Sequence, residues 1–217
     1  MEVSVVIPNF NGIAFLDSVL GSLEGQTARN FEVIFVDNGS TDGSCSFVAG
    51  NYPWVHIIEL TENFGFCRAV NEGIRAAKAP YVLLLNNDTE VAEDFVEKML
   101  AAIRRHKNAF SCAARMVQYH DRDKIDDAGN YYCALGWSFA RGKGKDIHTY
   151  EKEEKIFASC AGAAIYRKKI FDELGYFDEE HFAYLEDMDV GYRARIYGYE
   201  NWYAPEAVVY HVGSGTS

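Results

Sequence analysis

Four short apolar runs, interleaved with stretches of helical spacing and each breaking off in polar side chains, dominate the first half of the chain. They are SVVI at residues 4–7, FEVIFV at 31–36, VHIIEL at 55–60 and YVLLL at 81–85. Runs of this length, rich in β-branched and aromatic side chains and bounded by Pro, Asn and Gly, read as strands. A run without alternation reads as a strand covered on both faces. Phe15, Leu16, Val19, Leu20 and Leu23, then Phe66, Val70 and Ile74, then Phe95, Val96, Met99, Leu100 and Ile103, recur at spacings of three and four. That is the mark of helices buried along one stripe. Right-handed crossovers place the four strands parallel in one sheet, with the loops after Ile7, Val36, Leu60 and Leu85 on a single edge. The expected class is α/β, a mostly parallel central sheet with helices on both faces.

In such sheets ligands sit outside the carboxyl ends of the strands, so the residues of those loops are the first candidates for a site. They carry Asn9, Asp37, Asn63, Arg68 and Asp88. The fourth run matters most, because YVLLL ends in Asn86, Asn87 and Asp88, three side chains able to hold a cation. Asp88 has a second reading, as the N-cap of a helix expected to begin near Val91. Asp37 in VDNGSTDG has two as well: acceptor for the ring N–H of a pyrimidine, with Gly39 allowing close backbone approach, or the first residue of an Asx-turn. No GxxxxGK[ST] and no GxGxxG after a strand is present, so a nucleotide must be held without the usual phosphate loops.

Beyond residue 108 the rhythm changes. Residues 109–117 read as a strand, 162–166 as another, 167–174 as a helix closed by Gly175, 186–198 as a helix and 207–211 as a last strand. The stretch 118–155 is charged, glycine-studded and aperiodic, and is expected to be a hairpin or long mobile loop rather than a second domain. Its RGKGK at 141–145 is either a solvated loop tip or a contact for a phosphate-bearing ligand. In YLEDMDVGYRAR, Glu186, Asp187 and Asp189 suit a helix's first turn, and Asp189 can pair with Arg193. Asp187 is the residue least accounted for; beside Phe182, Tyr184 and Trp202 its basicity would rise, fitting it to take a proton. His211, ending an apolar strand, is either a hydrogen-bonded edge residue or, with a carboxylate, a ligand for Mn²⁺ or a similar ion.

The 217-residue chain carries a net charge of −11, which argues against a nucleic-acid partner and means that a phosphate ligand would need a cation. Cys45, Cys67, Cys112, Cys133 and Cys160 show no zinc or CxxC spacing and read as reduced cysteines of a cytosolic protein. Neither a leader-like N-terminus nor an apolar stretch of spanning length is found, so secretion and membrane spanning are disfavoured. The closing GSGTS has no capping element, which suits a piece of a longer protein.

Taken in order, VVIPNFNG, VDNGSTDG, NFGFCRAVNEG, LLLNNDTE, YLEDMDVGYRARIYGY and PEAVVYHVGSGT resemble the family 2 glycosyltransferases, and within them the bacterial rhamnosyltransferase-like branch. The resemblance runs from Ser4 to Thr216. It implies a single GT-A catalytic domain over residues 1–217, with a nucleotide-binding half at 1–108 and an acceptor-side half at 109–217. It also implies transfer of a sugar, rhamnose being the one suggested, from a dTDP- or UDP-linked donor to a hydroxyl of a polysaccharide or lipid-linked glycan, with inversion. By position, Asp187 matches the general base. Pro8, Asn9, Asp37, Asn63, Arg68 and Asn87 match the nucleotide contacts. Asp88 and His211 match ligands of Mn²⁺ or Mg²⁺, with Asn86 standing where the metal-binding motif begins with Asp. Glu186 and Trp202 fall on the acceptor side. The expected setting is the cytoplasm, at the inner face of the membrane, in cell-envelope polysaccharide synthesis, with peripheral association through residues beyond 217. Two other classes fit the same sheet: a nucleotide-sugar-binding module without transfer, and a sugar-phosphate nucleotidyltransferase. The latter should have an Arg- and Lys-containing glycine loop after the first strand, where this chain has PNFNG.

Overall fold

The structure, a computed structural model, describes residues 1–213. Its first half is strand β1 (Val3–Asn9), helix α1 (Ile13–Glu24), β2 (Phe31–Asp37), α2 (Ser44–Asn51), β3 (His56–Glu59), α3 (Phe66–Ala76) and β4 (Tyr81–Leu85). Then follow β5 (Thr89–Val91), α4 (Phe95–Arg105), β6 (Ala109–Gln118), β7 (Ile125–Asp127), β8 (Asn130–Tyr132), β9 (Ser138–Ala140) and β10 (Glu154–Ile156). The chain ends with β11 (Ala163–Arg167), α5 (Lys168–Leu174), α6 (Glu186–Ile196) and β12 (Glu200–His211). The main sheet runs β10-β12-β6-β11-β4-β1-β2-β3, with β5 beside β12 and β7 beside β6. As expected, the four early strands are parallel neighbours; β11 enters antiparallel between β4 and β6.

Alternate side chains of these strands feed two cores, one on each face of the sheet. Val5, Ile7, Leu83 and Leu85 pack with α1 and α4, whereas Val6, Val82 and Leu84 pack with α3, α5 and α6. Every one of these strand residues is fully buried, so β4 is the covered strand that its unbroken apolar run implies. With both faces committed, polar side chains can gather only past the strand ends, and that is where the loops diverge.

Three boundaries depart from the sequence reading. No helix starts near Val91: Thr89–Val91 is a short strand paired with Val209–His211, and α4 begins at Phe95. Asp88 is therefore not its cap. The last strand starts at Glu200 rather than residue 207, passing through a bulge between Ala204 and Val208. Pro205 lies in that bulge, where a missing N–H costs no ladder bond. Finally, residues 118–155 fold against the sheet. β7 pairs with β6, β8 and β9 form a hairpin, and Ile125, Ala128, Ile156 and Tyr203 make a small core of their own. Residues 214–216 of the final sequence motif lie outside the described residues.

Candidate active site

The carboxyl ends of β1, β2 and β4 open onto a cavity of about 600 Å³. At one end of it asparagines hold one another in place. Asn9 donates to the Asp37 carboxylate at 2.9 Å and to the Ser40 hydroxyl at 3.1 Å, and its own oxygen accepts from Asn87 at 2.6 Å. Asn38 donates to Asn63 at 2.8 Å, and the Asn63 oxygen in turn accepts from the Gly65 N–H at 3.0 Å. The Asn9–Asn87 contact depends on Gly12. A Cβ there would lie 2.1 Å from Asn87 Nδ2 and 2.5 Å from Asn9 Oδ1. Pro8, Asn9, Asn38, Asn63 and Asn87 all line the cavity. Asp37 does not. It is 3% exposed, and its second oxygen accepts from the Ser40 N–H at 2.9 Å, three residues on rather than the two of an Asx-turn. It acts on the cavity by fixing Asn9.

Further along, Asp88 and His211 meet. Val212 donates its N–H to the Asp88 carbonyl at 3.0 Å, and Tyr119 donates to the His211 carbonyl at 2.9 Å, so both main chains are pinned. His211 Nε2 lies 3.3 Å from Asp88 Oδ1, while Nδ1 lies 2.7 Å from Asp126 Oδ2. Burial alone would lower the imidazole's pKa, but the two carboxylates outweigh it and hold it at about 9. Among the described residues Asp88 Oδ1 is buried with no aligned hydrogen-bond donor, and what faces it is the His211 ring at 3.3 Å. A buried carboxylate oxygen placed this way is costly unless the group facing it is cationic, as the imidazolium is and as a metal ion held between the two would be. Among the described residues no three Asp, Glu, His or Cys side chains converge on one point. The donor set open to a metal ion is thus one carboxylate and one imidazole, a pair that suits Mn²⁺ or Mg²⁺ when ligand oxygens and water complete the shell. Lys143 is the other cationic side chain here, lining the cavity and lying 3.4 Å from Asp126.

The third group stands at the start of α6. Asp187 accepts from the Met188 N–H at 2.7 Å and from Asn130 Nδ2 at 3.3 Å. Burial raises its pKa above the usual carboxylate range against the pull of those donors. Burial, then the charge of Asp187, pushes Glu186 up to about 7, and Glu186 Oε2 is buried with no hydrogen-bond partner among the described residues. Both acids line the cavity, as do the exposed Phe139, Phe182 and Tyr184 at its rim. The turn into α6 is tight: Tyr184 and Leu185 both have left-handed backbones, at φ 73° and 67°. Asp189, as read from the sequence, pairs with Arg193 at 2.6 Å.

Several expected positions fall elsewhere. Arg68 is not in the cavity wall; its guanidinium pairs at 3.0 Å with Glu72 and with Glu179. Trp202 stacks on His106 with ring centroids 3.6 Å apart and also stands off the wall. It occupies the opposite end of β12 from His211: their partners on β6 are Cys112 and Gln118, so across the bulge the two stand roughly 20 Å apart at about 3.3 Å per residue. The RGKGK stretch is divided: Lys143, Gly144 and Lys145 are exposed, with Lys143 lining the cavity, whereas Arg141 is turned into the protein. Arg141 is 2% exposed, donates to the Ala128 carbonyl at 2.8 Å, packs 4.0 Å over the Tyr150 ring and pairs with Glu154. Asn130 and Asp126, absent from the sequence-based set, belong to the site. Their signal was slight: an IDDAGN run inside an aperiodic stretch.

The description "Glycosyl transferase family 2" belongs to the family model that matches residues 4–175. N-acetylglucosaminyl-diphospho-decaprenol L-rhamnosyltransferase of Mycobacterium tuberculosis is 26% identical over 230 residues, covering 95% of this chain and 75% of that protein. Putative teichuronic acid biosynthesis glycosyltransferase TuaG of Bacillus subtilis is 29% identical over 128 residues, 57% of this chain and 50% of that one. Among solved structures, GalNAc-T7 with UDP, GalNAc and Mn²⁺ aligns with a TM-score of 0.80 at 18% identity, over 97% of this chain and 44% of its own. S. aureus TarS 1-349 in complex with UDP aligns with a TM-score of 0.66 at 22% identity, over 89% of this chain and 55% of its own. Against these solved neighbours the chain spans about half of their length, and the architecture it shares with them is the GT-A fold.

Proposed function

This chain belongs to glycosyl transferase family 2 and is a glycosyltransferase, and on that premise we propose that it moves a sugar from a nucleoside diphosphate donor to an acceptor hydroxyl with inversion. The observation that carries this reading is a single cavity lined by Asp88, His211 and Asp187 together, 123 residues apart at their extremes in sequence. Asn9, Asn63 and Asn87 hold the nucleotide, with Pro8 against it and Asp37 keeping Asn9 in place. Asp88 and His211 would hold Mn²⁺ or Mg²⁺, which when bound supplies the positive charge that an acidic protein without a phosphate loop lacks. Asp187 accepts the proton of the attacking hydroxyl, and its burial makes it a stronger base than an exposed carboxylate. Glu186 supports it from the neighbouring position. Such a displacement needs no covalent intermediate.

Residues 1–108 form the donor half and 109–217 the acceptor half, with the 118–155 insertion supplying part of the rim. The relative named as a rhamnosyltransferase supports rhamnose as the sugar and a diphospho-lipid-linked glycan as the acceptor; UDP in the solved neighbours supports a pyrimidine nucleotide, dTDP or UDP. Among the described residues no helix is long and apolar enough to cross a membrane, and the enzyme is proposed to meet its lipid-linked acceptor peripherally, from the cytoplasmic side.

The test separates chemistry from binding. In Asp187→Asn, transfer should fall by about 10²–10⁴-fold, the usual contribution of a general base, while donor affinity holds. Unchanged turnover removes Asp187 from the mechanism. A thermal-shift panel of dTDP, UDP and their sugars, with and without Mn²⁺, identifies the donor, since a ligand that binds only the folded state raises its melting temperature.

A further inference from the structure

We propose that Asp126 is a positioning residue: it fixes the His211 ring so that Nε2 faces Oδ1 of Asp88, and thereby sets the geometry of the divalent-cation site. The inference rests on the metal reading above and goes beyond it, because Asp126 is not one of the two side chains offered to the ion.

Strand order brings the three residues side by side. β7, β6, β12 and β5 are consecutive neighbours, with Val117 opposite Ile125, Gln118 opposite His211, and His211 opposite Thr89. Asp126 and Asp88 therefore approach His211 from its two flanks. The main chain around His211 is clamped on both sides: its carbonyl accepts from the Tyr119 N–H, and the next residue, Val212, donates to the Asp88 carbonyl. What the main chain leaves open is the ring itself, which can turn over and exchange its two nitrogens. Asp126 removes that freedom. A carboxylate only accepts, so its contact at 2.7 Å keeps a hydrogen on Nδ1 whatever the charge of the ring, and leaves Nε2, directed at Asp88, as the nitrogen that a metal ion would take in place of its proton. With Asp126 gone, the ring is free to reverse and turn Nδ1 instead of Nε2 toward Asp88.

Asp126 is itself held. Its side chain is mostly buried, its strand is tied by the Ile125 N–H to the Lys145 carbonyl at 2.8 Å, and its other oxygen lies 3.4 Å from Lys143. The imidazole stands between the two carboxylates, which agrees with the lack of any three-residue cluster around one point among the described residues. Carboxylates bonded to the remote nitrogen of a metal-bound histidine orient the ring and raise its basicity, and losing one costs about 10–100-fold in metal affinity.

The experiment is a titration of Mn²⁺ in the presence of UDP, with free Mn²⁺ read by electron paramagnetic resonance, on the intact chain and on Asp126→Ala and Asp126→Asn. UDP binding without metal is measured on each. The expected result is Mn²⁺ affinity weakened by about 10–100-fold in Asp126→Ala and by less in Asp126→Asn, whose amide oxygen can still accept from Nδ1, with metal-free UDP binding unchanged. Wild-type Mn²⁺ affinity in both variants overturns the inference while leaving the metal reading intact. A parallel loss of metal-free UDP binding also overturns it, since that marks general disruption. Where Asp126→Ala does not fold, wild-type affinity in Asp126→Asn is enough to overturn it. Absence of Mn²⁺ binding by the wild-type chain overturns the metal reading and this inference together.

Discussion

Removing the amide of Asn130 should move the pH profile of transfer by an amount that can be worked out beforehand. Asn130 Nδ2 is the side-chain donor to Asp187 Oδ2, at 3.3 Å. Its main chain is held independently, donating to the Ala158 carbonyl at 2.9 Å and accepting from the Phe157 N–H at 3.2 Å. Asn130→Ala therefore deletes one hydrogen bond to the charged form of the base and leaves the strand in place. Hydrogen bonds to charged groups contribute about 1.5–3 kcal/mol, and a contact longer than the usual charge-assisted distance of about 2.7–2.9 Å belongs at the lower end. Because about 1.4 kcal/mol corresponds to one pKa unit, Asp187 should titrate about one unit higher in the variant. The sign follows from which form the bond favours: the donor stabilises the carboxylate, so its loss favours the acid. A general base must be deprotonated, so the acid limb of kcat/KM against pH should move upward by about one unit, with the plateau kept. An unmoved acid limb, with the fold intact by circular dichroism, would refute either the role of Asp187 or the reach of Asn130.

Other outcomes follow from the same coordinates. Gly12→Ala forces apart the Asn9–Asn87 pair, a buried bond of 2.6 Å, and should cost about 1–3 kcal/mol, lowering the melting temperature by about 2–10 °C while weakening nucleotide binding. Arg68→Ala removes exposed ion pairs away from the cavity; donor KM should hold and stability change by less than about 1 kcal/mol, as denaturant unfolding will show. Asp127 has its pKa raised by burial to about 8, so the folded state holds its proton where the unfolded chain has lost it. Its contribution to stability is complete below about pH 4 and declines as pH rises toward about 8. Asp127→Asn should flatten the fall in melting temperature across that window, and a curve parallel to wild type would count against it.

How far the sequence was readable depended on periodicity. The parallel half was legible because each of its strands is an unbroken apolar run between polar loops. The same logic put Asn9, Asn63, Asn87 and Asp88 at one edge; Asp187 and His211 stood out as single residues with two readings each, and the motif resemblance assigned them roles. Asp126 and Asn130 were not legible. They sit in a stretch with no repeat: the place of Asp126 depends on a three-residue strand joined to β6 across a register shift between Met116 and Val117, and that of Asn130 on pairing with Ala140 and Ala158. Trp202 was misplaced because the bulge at Pro205 hid the first half of β12, so the tryptophan read as a neighbour of Asp187. Arg68 was misread for a different reason. Its partner Glu179 lies 111 residues away in sequence, and no local pattern shows that a cation beside a polar loop is already neutralised.

The closure beneath the β8–β9 hairpin has a practical side. Arg141 N–H donates to the Gly129 carbonyl at 2.8 Å and the Ala128 N–H donates to the Arg141 carbonyl at 2.9 Å, so the excursion at 131–140 leaves and rejoins the protein at nearly one point. A segment inserted through so narrow a doorway can be exchanged as a unit, provided the cuts fall inside Asn130 and Arg141 and the replacement keeps an aromatic ring where Tyr132 packs on Phe157 and Tyr192. Chimaeras drawn at those limits would let the surface beside the cavity mouth be rewritten, while the acids and the histidine beneath it stay as they are.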